Sequence, residues 1–166
     1  MIDKLLRQPE YIHVLINPLP IYGLALALIG LTIALIMRNR GAQIATLMLV
    51  LLSAASAWPV YELGEQAYDR VLSMTDDAGR AWLEEHEHRA EELIYFFYAL
   101  AAVAVAALVA PMRWPRSATW LSLVTLLLGV VVLGMGGYIA YAGGKIRHRE
   151  FRNEPPPAER AQDRQS

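Results

Sequence analysis

The sequence predicts an all-α protein: a four-helix transmembrane bundle whose second and third helices extend beyond the bilayer as a polar hairpin. Three observations carry this prediction. The chain of 166 residues is 55% hydrophobic and 19% charged, which is too apolar for an ordinary soluble domain. Its charges are segregated, because Leu15–Met37, Ala42–Tyr61, Leu93–Met112 and Ala118–Ala142 contain no Asp, Glu, Lys or Arg. Each block is about the ~20 residues needed to cross a ~30 Å hydrocarbon core. Finally, Leu24–Leu35 and Leu121–Leu133 lack the continuous polar face that a helix of a soluble bundle keeps.

Taken in order, Met1–Glu10 reads as an interfacial lead-in, with Ile2, Leu5 and Leu6 on the membrane surface and Lys4 and Arg7 reaching the headgroups. Asn17, Pro18 and Pro20 then form an entry turn, which puts His13 at the surface just before the first span. That span exceeds a ~7–15-residue signal-peptide core and lacks a small-x-small cleavage pattern, so it is expected to remain in the mature protein. Arg38-Asn39-Arg40-Gly41 is a connection short enough to make the second span an antiparallel neighbour. Thr46, Ser53, Ala54, Ser56 and Ala57 let backbones approach closely there.

Pro59 is expected to weaken or kink the second helix, but the helical pattern resumes as YELGEQAYDRVLSM and projects beyond the bilayer. Thr75-Asp76-Asp77 reads as an N-cap, from which one helix runs uninterrupted into the third span. Residues 62–92 thereby form the hairpin. The third span is Ala-rich, with Ala102, Ala106 and Ala110 at four-residue spacing, and Arg113-Trp114-Pro115-Arg116 makes the second short turn. In the fourth span, Gly129, Gly134, Gly136, Gly137, Ala140 and Gly144 permit close approach of a neighbouring helix or a flat cofactor. The membrane domain is expected to cover 1–152, and 153–166, with three consecutive prolines, is expected to be disordered or extended.

Four crossings place both termini and the hairpin on one side, and with them His13, His86, His88 and His148. Lys4, Arg7, Arg89, Lys145, Arg147, Arg149 and Arg152 lie on that side, against Arg38, Arg40, Arg113 and Arg116 on the other. The count favours cytoplasmic termini. The absence of cysteine excludes disulfides, thiolate metal sites and covalent c-type haem attachment. A net charge of -1 gives no reason to expect nucleic acid as a partner.

The hairpin is where specific chemistry is expected. On a helical wheel Trp82, Leu83, His86, Ala90, Leu93 and Phe97 share one apolar arc, while His88 falls opposite with Glu84, Glu92 and Tyr95. In the preceding helix Trp58, Glu62, Glu65 and Asp69 share one line. If that line faces the partner helix, Glu62 or Glu65 meets His86, a competent set for a divalent metal, and Glu85-x-x-His88 has the Glu-x-x-His spacing of carboxylate-bridged bundles. The plainer reading of His86 is a partly buried histidine hydrogen-bonded to a carboxylate, with the remaining acids a solvated face. A b-type haem needs two axial ligands at similar depth, and only a rim-level pair such as His13 with His86 or His148 could supply them. No nucleophile-elbow, phosphate-loop or zincin motif is present, which argues against an enzyme. The spans also lack the midplane charge or broken helix that marks an ion path.

The entry HVLINPLPI resembles the His-Pro-x-x-Val-His-Phe-Pro-Ile start of the bacterial four-helix membrane family known as domain of unknown function 2231. The exit GMGGYIAYAGG is similar to that family's Gly-Gly-x-x-Val-Tyr-x-x-Gly close. His13, Pro20, Ile21, Gly136, Gly137, Tyr141 and Gly144 carry the match, with His86 or His88 as the linker histidine. Val14 and Pro18 depart from it, replacing a proline and the second histidine. The resemblance implies a four-helix membrane domain without an established reaction. The reading that follows is a membrane module, either a subunit or partner-binding element of a larger assembly or homo-oligomer, or a haem- or metal-binding redox protein.

Overall fold

The computed structural model describes residues 7–155 and 157. The expected lead-in residues Ile2, Lys4, Leu5 and Leu6, and residues 158–166 of the tail, lie outside the described residues. The architecture is an all-α four-helix bundle. Helix α1 covers Pro9–Ile16, a wide turn at Leu19–Gly23 follows, and α2 covers Leu24–Ile36. Then come α3 (Arg40–Ala55), α4 (Ala57–Leu72), α5 (Asp77–Arg113), α6 (Ser117–Arg147) and a final turn at Arg149–Phe151. Helices α1–α2, α3–α4, α5 and α6 make four continuous rods, each long and apolar enough to cross a membrane.

The local chemistry explains the breaks. Pro18 and Pro20 widen the backbone between α1 and α2. Pro59 has no N–H for the Ala55 carbonyl, so the ladder loosens where α3 passes into α4. At the first short turn Arg38 takes a positive φ of 52°, and the Asn39 side chain caps α3 by accepting from the Ala42 N–H at 3.0 Å. At the hairpin tip Asp76 caps α5 as expected, accepting from the Gly79 N–H at 2.8 Å.

Leu24, Ala27, Leu28, Val50, Ala54, Phe97, Leu100, Ala104 and Val132 form the main core, contributed by all four rods. Leu31, Leu47 and Ala107 continue it toward the short turns. Small residues set the approach: a Cβ on Gly129 would stand 2.5 Å from Leu28 Cδ2, and one on Gly23 would stand 2.8 Å from Ser53 Oγ. Ala102 and Ala106 face outward, and the buried alanines of the apolar part of α5 are Ala104 and Ala107.

Aromatic residues mark two levels. Trp114 and Trp120 are exposed at the short-turn end, whereas all eight tyrosines fall toward the hairpin end. Tyr95 to Trp114 and Tyr138 to Trp120 each span roughly 28 Å at 1.5 Å per helical residue, close to the hydrocarbon thickness. His13, His86 and the hairpin lie at the end of the bundle opposite the two short turns.

Two segments carry contacts that the sequence reading did not specify. Pro9–Ile16 is a helix that packs on α4, with Glu10 bridging Arg70 at 2.8 Å. At the other end Glu154 binds Lys145, and Arg152 binds Asp76 and the carbonyls that end α6. Composition signals the prolines of this segment but not the buried partners that hold it.

Candidate functional site

The hairpin end is assembled around two histidines that reach different helices. His13 projects from α1 onto α4 and donates its Nδ1–H to the Val60 carbonyl at 2.8 Å. His86 projects from α5 onto α6 and donates its Nδ1–H to the Ile139 carbonyl at 3.0 Å. Each ring rests on a glycine four residues beyond the carbonyl it binds. A Cβ on Gly64 would lie 3.2 Å from His13 Cε1, and one on Gly143 would lie 3.0 Å from His86 Cε1. Burial first of all pushes both imidazoles below the ordinary histidine range, which each carbonyl bond partly offsets.

Beside His86, Arg89 is 8% exposed and Glu85 9%, so their pairing at 2.8 Å is shielded from water. Arg89 also donates to the Tyr138 carbonyl at 2.7 Å, and its guanidinium carbon lies 3.6 Å from the Tyr138 ring centroid. Lys145 is 1% exposed, with Nζ 4.2 Å from the Trp82 ring centroid and 3.9 Å from that of Tyr141. It donates to the Tyr141 hydroxyl at 2.7 Å and to the Glu154 carboxylate, which also accepts from Tyr141 at 2.9 Å. These contacts, Lys145 first, hold the Glu154 carboxyl below the usual range.

Asp76 closes the end of the bundle. It accepts from Arg152 at 2.9 and 3.0 Å and pairs with Arg149 at 3.0 Å. Hydrogen bonds from Arg152 and then from Gly79 hold its carboxyl down at about 2. Arg152 donates as well to the Lys145 and Ile146 carbonyls at 2.7 Å each, so one guanidinium joins the start of α5 to the end of α6.

The sequence-proposed residues divide clearly. His13 and His86 are half-buried and each is held by a backbone carbonyl of a different helix, whereas His148 is exposed and pairs with Glu150 at 2.9 Å. His88 faces the polar side as expected and meets Glu92 at 3.1 Å. Glu62 and Glu65 are exposed and share an acidic patch with Glu91, and His86 is held by the Ile139 carbonyl of α6 instead. The inward line of α4 is instead Ala57, Val60, Gly64 and Ala67, where α1 docks. A wheel shows which residues share a line, but the helix that covers that line decides which one turns inward. Glu85 serves Arg89, and the Glu85-x-x-His88 spacing does not build a metal site. Among the described residues no three His, Asp or Glu side chains converge to hold a metal.

Sequence reasoning named Glu85, Arg89 and Lys145 without giving them inward roles, and did not single out Gly64 and Gly143. The i,i+4 spacing of Glu85 and Arg89 was a usable signal. A shallow groove of about 370 Å³ between α2 and α3 is apolar apart from Ser53 and Ser56 and gathers no chemistry. No family model, curated protein or solved structure matches the chain.

Proposed function

We propose that this chain is a non-enzymatic, multi-pass module of the bacterial cell membrane that works as a subunit of a larger membrane assembly. The observation that carries the reading is how its inward polar side chains are used. Arg89 and Lys145 are each engaged with the chain's own carbonyls, hydroxyls, carboxylates or rings, so they lock helices together instead of converging on a substrate. The outer face of the hairpin, with Glu62, Glu65 and Glu91 beside Tyr61, is the polar surface left for a partner. Kinship with domain of unknown function 2231, and cytoplasmic placement of the termini and hairpin by the basic-residue count, belong to the same proposal.

The test is the mass of the particle extracted gently from its native membrane. A complex containing other chains, or several copies of this one, supports the reading. A particle with the mass of one 18.5 kDa chain plus detergent contradicts it.

A further inference from the structure

We propose that Lys145, Tyr141 and Trp82 form a binding site for a phosphate-type oxyanion, which the chain's own Glu154 fills as a displaceable stand-in. The Lys145 ammonium sits against the Trp82 and Tyr141 rings, with only its anion on the open side. The ammonium and the Tyr141 hydroxyl both donate to a single carboxylate oxygen, Glu154 Oε1. Charge-assisted bonds of this kind are the strong ones, and lysine serves phosphates as a point charge. Among the described residues Glu154 Oε2 makes no hydrogen bond. On the ring that the ammonium faces, Trp82 Nε1 is buried and has no hydrogen-bond partner among the described residues. An indole N–H can only donate, so the pocket holds a donor that the tail does not satisfy.

The cation belongs to the bundle and the anion does not. Lys145 lies in α6 and rests on Trp82 of α5, so its ring contacts join two helices without the tail. Glu154 reaches it from beyond the Arg149–Phe151 turn, outside every helix. Their burial is correspondingly unequal, with the lysine side chain 1% exposed and the glutamate 49%. Nor does the tail depend on this bond. Arg152 anchors it separately, through two hydrogen bonds to Asp76 and one each to the Lys145 and Ile146 carbonyls. Glu154 is therefore free to leave while the turn before it stays in place. A buried ammonium without an anion is costly, so the vacated pocket requires a replacement of the same charge.

The donors select the class. A carboxylate meets the ammonium and the hydroxyl through one oxygen and leaves the indole N–H unmet, whereas a phosphate brings more oxygens to the same three groups. Lys145 also follows directly on the apolar block Ala118–Ala142, where a spanning helix meets lipid phosphates. A lipid headgroup and dissolved phosphate thus offer the site one chemistry. The inference does not rest on the assembly reading, because the pocket is complete within one chain.

The experiment titrates the purified full-length protein in detergent with inorganic phosphate in one arm and phosphatidic acid in mixed micelles in the other, at constant ionic strength set with chloride. The readout is the Trp82 indole N–H resonance of nitrogen-15-labelled protein, assigned by its loss in Trp82→Phe. A saturable shift in at least one arm is expected. Glu154→Gln should tighten it about tenfold or more, because it removes a tethered competitor at millimolar effective concentration. Lys145→Met should abolish the shift and Tyr141→Phe, which removes only a hydroxyl, should weaken it, while Glu150→Gln should leave it unchanged. Saturation by phosphatidic acid alone assigns the site to a lipid headgroup, and saturation by inorganic phosphate assigns it to the dissolved anion. No saturable shift in either arm, even with Glu154→Gln, overturns the proposal. So does binding that Glu154→Gln fails to tighten, or that survives both Lys145→Met and Tyr141→Phe undiminished.

Discussion

Asp76 uses one carboxylate for two purposes, capping α5 and anchoring Arg152 against the end of α6. The cap was legible in Thr75-Asp76-Asp77, whereas Arg152 was not, because nothing in the sequence pairs residues that far apart. The pH consequence has a definite sign. A carboxyl held at about 2 instead of 3.8 contributes its full stabilisation above the ordinary range and loses it as pH falls from about 4 to about 2. Asp76→Asn should flatten that part of the melting-temperature profile, and Asp76→Ala should lower the neutral-pH melting temperature by about 3 °C. At Arg89 a buried ion pair, a carbonyl bond and a ring contact meet, so Arg89→Ala should cost about 3 kcal/mol in a reversible unfolding assay. Arg89→Lys should recover little of this, because an ammonium cannot reproduce the fork and the stacking on Tyr138.

At the level of elements, the four rods and the tight turns could be read from composition and spacing, and on α5 so could the inward Trp82, Leu83 and Phe97, but not Glu85 and Arg89 beside them. The phase of α4 could not. Glu62 and Glu65 share a line with Trp58, but α1 covers the Val60–Gly64 line instead, and α1 itself was hidden in a segment interrupted by prolines. The glycines of α6 likewise differ by position. Gly129→Ala drives a Cβ into Leu28, an overpacking cost of about 1–3 kcal/mol that exceeds the ~1 kcal/mol gained by alanine in a helix. Gly137 has nothing within 4 Å, so Gly137→Ala should be neutral or stabilising by up to about 1 kcal/mol. Thermal melts of the two variants in one detergent should move in opposite directions or at least separate in that order.

For the whole molecule, segregation of charge made the bundle legible, since apolar blocks of spanning length leave few alternatives. The candidate site was legible only in part: His13 and His86 were named, but their carbonyl partners and glycine seats depend on helix pairings that no local pattern records. Both functional proposals depend on one architectural claim, that four crossings bring the hairpin and the end of α6 to the same side. The chain has no cysteine, so single cysteines can be read without background. Met74→Cys, Arg147→Cys, Gly41→Cys and Arg116→Cys should be labelled in oriented membrane vesicles with a membrane-impermeant maleimide. The account predicts that positions 74 and 147 react together from one face and positions 41 and 116 together from the other. Labelling of 74 and 147 from opposite faces, or of 41 from the face that labels 74, would contradict it.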